Sequence, residues 1–198
     1  MTAVVGLVDK ETGDVFIGGD SAGVAGLNIT VRTDPKVFQN GPFLIGFTSS
    51  FRMGNILRFR FSPPAQTVHQ EDFQYMTTDF VDALRKCFSQ NGYGDKEATF
   101  GGNFLVGYKG NLYNIQGDHQ VGMSAAPYDA VGCGEPFSKG CFFATEGSNL
   151  KPAERVKLAL EAATNFSGGV RPPYIILYQP GLKKKSVKKS KKAKAKAA

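Results

Sequence analysis

The stretch MTAVVGLVDKETGDVFIGGDSAG, residues 1–23, decides the fold. Apolar residues Ala3, Val4, Val5, Leu7 and Val8 are followed by a polar turn, Asp9 to Asp14, with Gly13 inside it, and then by Val15, Phe16 and Ile17. β-forming residues on either side of a charged, Gly-containing turn predict a hairpin. Hairpin geometry carries the chain out and back, so Thr2, at the start of the first strand, lies beside Asp20, at the end of the second. A hydroxyl and a carboxylate are thereby brought together at one end of the hairpin.

Working outward, a second strand pair is predicted. Leu27–Arg32 reads as a strand, and Lys36-Val37-Phe38 turns at Asn40-Gly41-Pro42 into Phe43–Thr48. Phe51 to Phe61 changes to helical spacing through Met53, Ile56 and Leu57, and Ser62-Pro63-Pro64 stops it. A helix over Glu71–Ser89 follows from Phe73, Met76, Phe80, Leu84 and Cys87, and Asn91-Gly92 closes it. Strands are expected over Asn103–Tyr108 and Leu112–Ile115, Asp129–Gly134 reads as a short strand running into a Gly turn, and helices are expected over Glu135–Thr145 and Lys151–Ala163, with Pro152 near the first turn of the latter. Tyr174–Tyr178 is the last strand. This order predicts an α+β sandwich, with helices packed outside two sheets.

The 198-residue chain is 41% hydrophobic and long enough for one full core. It has no apolar run of membrane-spanning length, and its N-terminus enters a strand without a basic segment and apolar core ahead of it. A cytoplasmic protein is expected, with no membrane association. Cys87, Cys133 and Cys141 lack metal-ligand spacing, and His69 and His119 are isolated, so neither a disulfide framework nor a zinc site is expected. No cofactor is implied. The net charge of +7 belongs to the C-terminus: nine of the 24 Lys and Arg residues lie in Lys183–Ala198, where no acidic residue occurs. The body is mildly acidic. Residues 181–198 are expected to be a disordered, lysine-rich tail able to bind nucleic acid or other polyanions weakly, following a domain over 2–180.

In their order along the chain, the residues at Thr2, Gly19-Asp20-Ser21, Lys36 and Ser167-Gly168-Gly169 resemble those of the N-terminal-nucleophile (Ntn) hydrolases, specifically proteasome β subunits and HslV-type peptidases. Gly46-Phe47-Thr48-Ser49-Ser50 and Val131-Gly132-Cys133-Gly134 add weaker matches. The resemblance covers roughly Thr2 to Tyr178. It implies a four-layer αββα sandwich and a threonine-type peptidase whose sites are enclosed in a homo-oligomeric ring of about six or seven subunits. An ATPase unfoldase would then be a partner, and peptides or unfolded proteins the substrate. The implied site comprises Thr2, Asp20, Lys36, Ser50 through its backbone N–H, Cys133, Thr164 and Ser167. Two of these depart from the pattern: Cys133 stands where a serine is expected, and Thr164 where proteasome β subunits carry an aspartate.

The chemistry is consistent with these residue types. A threonine hydroxyl is a weak nucleophile and needs a base. Removal of Met1 would give Thr2 a free α-amine with a reference pKa of about 7.7–8.0, which a nearby cation lowers. Lys36 would be that cation, and Asp20 its anchor. Taken singly, Asp20 is a turn cap, Lys36 a solvated strand end, Ser50 an ordinary turn residue and Ser167 a helix stop. Two other classes fit the sequence less well: a structural relative that keeps the sandwich without catalysis, and a nucleic-acid-binding module resting on the tail alone.

Overall fold

The computed structural model describes residues 1–94 and 101–181. The expected lysine-rich tail therefore lies almost wholly outside the described residues. The chain runs β1 (Val4–Val8), β2 (Val15–Gly19), β3 (Ala22–Ala25), β4 (Asn28–Val31), β5 (Val37–Asn40), β6 (Phe43–Phe47) and α1 (Phe51–Phe59). Then α2 (Asp72–Tyr75) passes through a π-helical turn, Met76–Phe80, into α3 (Val81–Gln90). Strands β7 (Phe104–Tyr108), β8 (Asn111–Ile115), β9 (Val121–Gly122) and β10 (Tyr128–Val131) lead to α4 (Glu135–Ala144), α5 (Pro152–Phe166) and β11 (Ile175–Gln179).

The opening hairpin forms as its alternation predicts, with Val4 opposite Gly19 and Val8 opposite Val15. β10 joins the free side of β1 and β11 the free side of β2, giving an antiparallel sheet ordered β10-β1-β2-β11. The second sheet is ordered β5-β6-β7-β8-β9 and is also antiparallel. Successive residues of β1 point to opposite faces. Val4 therefore joins Val15, Ile17, Val37, Leu44, Leu105, Leu112 and Val131 between the two sheets. Val5 and Leu7 face the other way, against Phe142 of α4 and Val156, Ala159, Leu160 and Ala163 of α5.

The outer face of the second sheet is aromatic. Phe43 stacks on Tyr108 at 4.3 Å and also meets Tyr75 and Phe80, with Met53, Ile56 and Leu57 of α1 in the same cluster. Such ring pairs add about 0.5–1.5 kcal/mol each beyond their burial. Between the two sheets Gly46 leaves room for side chains of the first: a Cβ on it would lie 2.6 Å from Val4 and 2.9 Å from Ile17.

Two elements differ from the sequence-based expectation, the first of them beside the site. β3 and β4 form a separate hairpin, Ala22 opposite Val31, where only the second strand was expected. The helix expected over Glu71–Ser89 starts at Asp72 and contains the π-helical turn.

Candidate active site

The β1–β2 register places the Thr2 and Asp20 ends side by side. Lys36 immediately precedes β5, and the missing side chain at Gly19 leaves room for the start of that strand: a Cβ there would lie 2.9 Å from Val37. The three side chains meet. Lys36 Nζ donates to Thr2 Oγ1 at 3.0 Å and to Asp20 Oδ1 at 2.7 Å. Thr2, Asp20 and Lys36 are 3%, 1% and 2% exposed, so the ion pair is dry. Bulk water cannot screen it.

Asp20 is held by more than the lysine. Its Oδ1 accepts the Ala3 N–H at 3.1 Å, and its Oδ2 accepts those of Ala22 at 2.9 Å and Arg171 at 3.2 Å. Three backbone donors stabilise the carboxylate in place. The Arg171 donor arrives because Ser21 ties the segment after α5 to the end of β2: its N–H donates to Arg171 O at 2.9 Å and its hydroxyl to Pro173 O at 2.6 Å. Burial pushes the Lys36 ammonium below the ordinary lysine range, and the pull of Asp20 opposes that shift without cancelling it.

Cys133 and Ser167 complete the cluster on the other side of Thr2. The Thr2 N–H donates to Cys133 Sγ at 3.2 Å, and Cys133 Sγ lies 3.2 Å from Ser167 Oγ. The Thr2 carbonyl accepts the Gly134 N–H at 3.2 Å. Gly132, at φ +98°, makes this packing possible, since a Cβ on it would lie only 2.3 Å from Thr2 O. The Thr2 hydroxyl donates to the carbonyl of Met1, and Met1 itself packs on Gly169.

The other two expected residues are placed differently. The Thr164 hydroxyl is 2.7 Å from that of Tyr174 and belongs to the α5–β11 packing rather than to the Thr2 cluster. The Ser50 N–H donates to Thr48 O at 2.8 Å across Ser49, which sits at φ +67°, while the Ser50 hydroxyl caps α1 by accepting from the Met53 N–H at 3.2 Å. A three-residue turn of this hand is strained and uncommon. Gly132 entered the sequence reading only within the Val131-Gly132-Cys133-Gly134 match, without a role of its own. Arg171 was not expected, because it acts through its main chain and leaves no side-chain signal.

No family model matches the sequence, and no curated protein is significantly similar to it. Solved structures match closely in shape. BPH of Thiobacillus denitrificans, in a structure holding epoxomicin, superposes with a TM-score of 0.75 at 16% identity, over 90% of this chain and 98% of that one. HslV of Trypanosoma brucei gives 0.66 at 15% identity, over 90% and 99% of the two chains. Anbu of Yersinia bercovieri gives 0.62 at 13% identity, over 90% and 82%. The fold is the proteasome/HslV-like Ntn fold. Within that fold, the Thr2, Asp20 and Lys36 cluster stands at one end of the first sheet, and the adjoining cavity opens between Thr2, the β3–β4 hairpin and the start of α1. Among the described residues no helix is long and apolar enough to cross a membrane.

Proposed function

We propose that the chain is a threonine-type amide hydrolase, a peptidase that uses Thr2 as nucleophile after removal of Met1. The observation that carries this reading is the buried Lys36 ammonium, bonded at once to Thr2 Oγ1 at 3.0 Å and to Asp20 at 2.7 Å. A cation fixed on a hydroxyl favours its ionised form and also lowers the pKa of an adjacent amine. With Met1 gone, the Thr2 amine accepts the hydroxyl proton as Oγ1 attacks the substrate carbonyl. The C–N bond then breaks, the amine returns the proton to the leaving nitrogen, and an ester is left on Thr2. Water activated by the same amine hydrolyses the ester and regenerates the hydroxyl. Cys133 and Ser167 orient the amine. Thr2 and Met1 both line the adjoining cavity, so removing Met1 would free the amine and clear space for substrate in one step.

A four-layer αββα domain over 2–180 and a homo-oligomeric ring with an ATPase unfoldase, acting in the cytoplasm on peptides or unfolded proteins, extend the same reading. The tail after residue 180 would be a weak polyanion binder outside the active site, and its deletion should leave peptide cleavage unchanged. Peptide turnover by wild type, Thr2→Ser and Thr2→Ala tests the mechanism. Wild type and Thr2→Ser should cleave and Thr2→Ala should not; full activity of Thr2→Ala would overturn the proposal. Light scattering showing only monomer at micromolar concentration would remove the ring.

A further inference from the structure

We propose that the cavity beside Thr2 recognises an acidic side chain of the substrate, through the free edge of the Arg32 guanidinium. The inference rests on the amide-hydrolase reading for its statement that this side chain adjoins the scissile bond. The cavity is about 260 Å³, room for a single amino-acid side chain, and Thr2, Ala22, Gly23, Arg32, Ser49 and Phe51 are among its walls.

Arg32 is fixed on three sides. Its stem lies flat on β3, because a Cβ on Gly23 would come within 2.7 Å of Arg32 Cδ. Its guanidinium stacks 3.9 Å from the centre of the Phe51 ring, and its Nε and Nη2 form a fork with Asp34 at 2.8 and 2.7 Å. A guanidinium held in this way has lost its rotamer freedom before any ligand arrives. Nη1 makes no hydrogen bond among the described residues and is the donor edge left for a ligand.

The charge around the cavity favours an anion. Hydrogen bonds from Arg32 hold Asp34 toward its ionised form, and Arg58 adds a smaller pull in the same direction. Asp20 is already paired with Lys36, and Arg32 is close enough to Lys36 to oppose its protonation. Among the described residues no carboxylate lines the cavity and Arg32 is its one charged side chain, so an incoming lysine would face the guanidinium without a partner of its own. An apolar side chain would cover Nη1 without bonding it. A glutamate or aspartate carboxylate would accept from Nη1 in a charge-assisted bond.

Arg32 and Asp34 are each 40% exposed at the side chain, so the preference is moderated by solvent. For a half-exposed charged hydrogen bond we expect about a tenfold advantage of Glu over the isosteric Gln. The test has two arms. Fluorescein-Ala-Ala-Glu-amide and its Gln, Leu and Lys counterparts are titrated against the Thr2→Ala protein by anisotropy, and the matching aminocoumarin peptides are tested for cleavage by wild type. The Glu/Gln ratio should be near ten in both arms, fall toward one in Arg32→Gln, and shrink with added salt. Because it is a ratio, partial misfolding of Arg32→Gln does not move it. Equal or better binding of Gln or Leu, a ratio unchanged in Arg32→Gln, or no binding of any peptide at millimolar concentration would each overturn the proposal. Glu-selective binding without cleavage of any peptide would leave the pocket standing and remove the hydrolase reading instead.

Discussion

Replacing Lys36 by methionine removes the cation that the Thr2 hydroxyl touches and leaves Asp20 buried without its ion partner. The Lys36–Asp20 contact is 2.7 Å, and the two side chains are 2% and 0% exposed. Removing one member of such a pair generally costs about 3–5 kcal/mol, because a buried charge is left uncompensated. Asp20 also accepts three backbone N–H groups, so the lower end, about 3 kcal/mol, is expected. For a chain of this length that is a drop in Tm of about 6–12 °C. Asp20→Asn in the Lys36→Met background should restore only part of this loss. The asparagine oxygen can keep the Ala22 and Arg171 donors, but its NH2 group then faces the Ala3 N–H. Thermal melts of wild type, both single variants and the double variant form the cycle that isolates the pair. Turnover in Lys36→Met should fall by about a hundredfold or more. A melt unchanged from wild type, or turnover within tenfold of it, would refute the reasoning that the pair holds a charged lysine on the nucleophile.

The remaining predictions concern the surroundings of Thr2. Gly132→Ala should lose most activity and be destabilised, since its methyl would collide with the Thr2 carbonyl at a φ of +98°; kcat and a melt check both. Thr164→Val loses the hydroxyl contact with Tyr174 and should cost about 1 kcal/mol in urea unfolding while leaving kcat unchanged. The pH profile of kcat/KM should rise as the Thr2 amine deprotonates and fall where Lys36 loses its proton, below the ordinary lysine value. Folding stability has the related sign: between the depressed native pKa of Lys36 and its unfolded value the unfolded chain binds more protons, so stability should rise with pH there, and this rise should vanish in Lys36→Met.

The sequence carried those parts of the site whose placement depends on local pattern. Thr2 and Asp20 could be paired because hairpin alternation sets the β1–β2 register, and Lys36 because it opens the next strand of an apolar run. The hairpin β3–β4 was only half legible: Ala22-Gly23-Val24-Ala25 has little β propensity, and its strand exists through pairing with β4. Arg32 gave no signal, because its importance comes from lying across Gly23 and over Phe51, residues on two other elements. Ser50 and Thr164 were expected from resemblance alone. Their surroundings are set by the Ser49 turn and by Tyr174, neither of which a linear pattern encodes.

The central claim is that a processed Thr2 carries the acyl group during turnover, and acid-quenched intact-mass spectrometry with peptide mapping tests it most directly. Purified protein should lack Met1, and protein quenched during cleavage of a slow peptide substrate should show the mass of one acyl group, mapped to Thr2 and absent from Thr2→Ala. Quantitative retention of Met1 in protein that still cleaves, or an acyl group mapped to any other residue, would contradict the account.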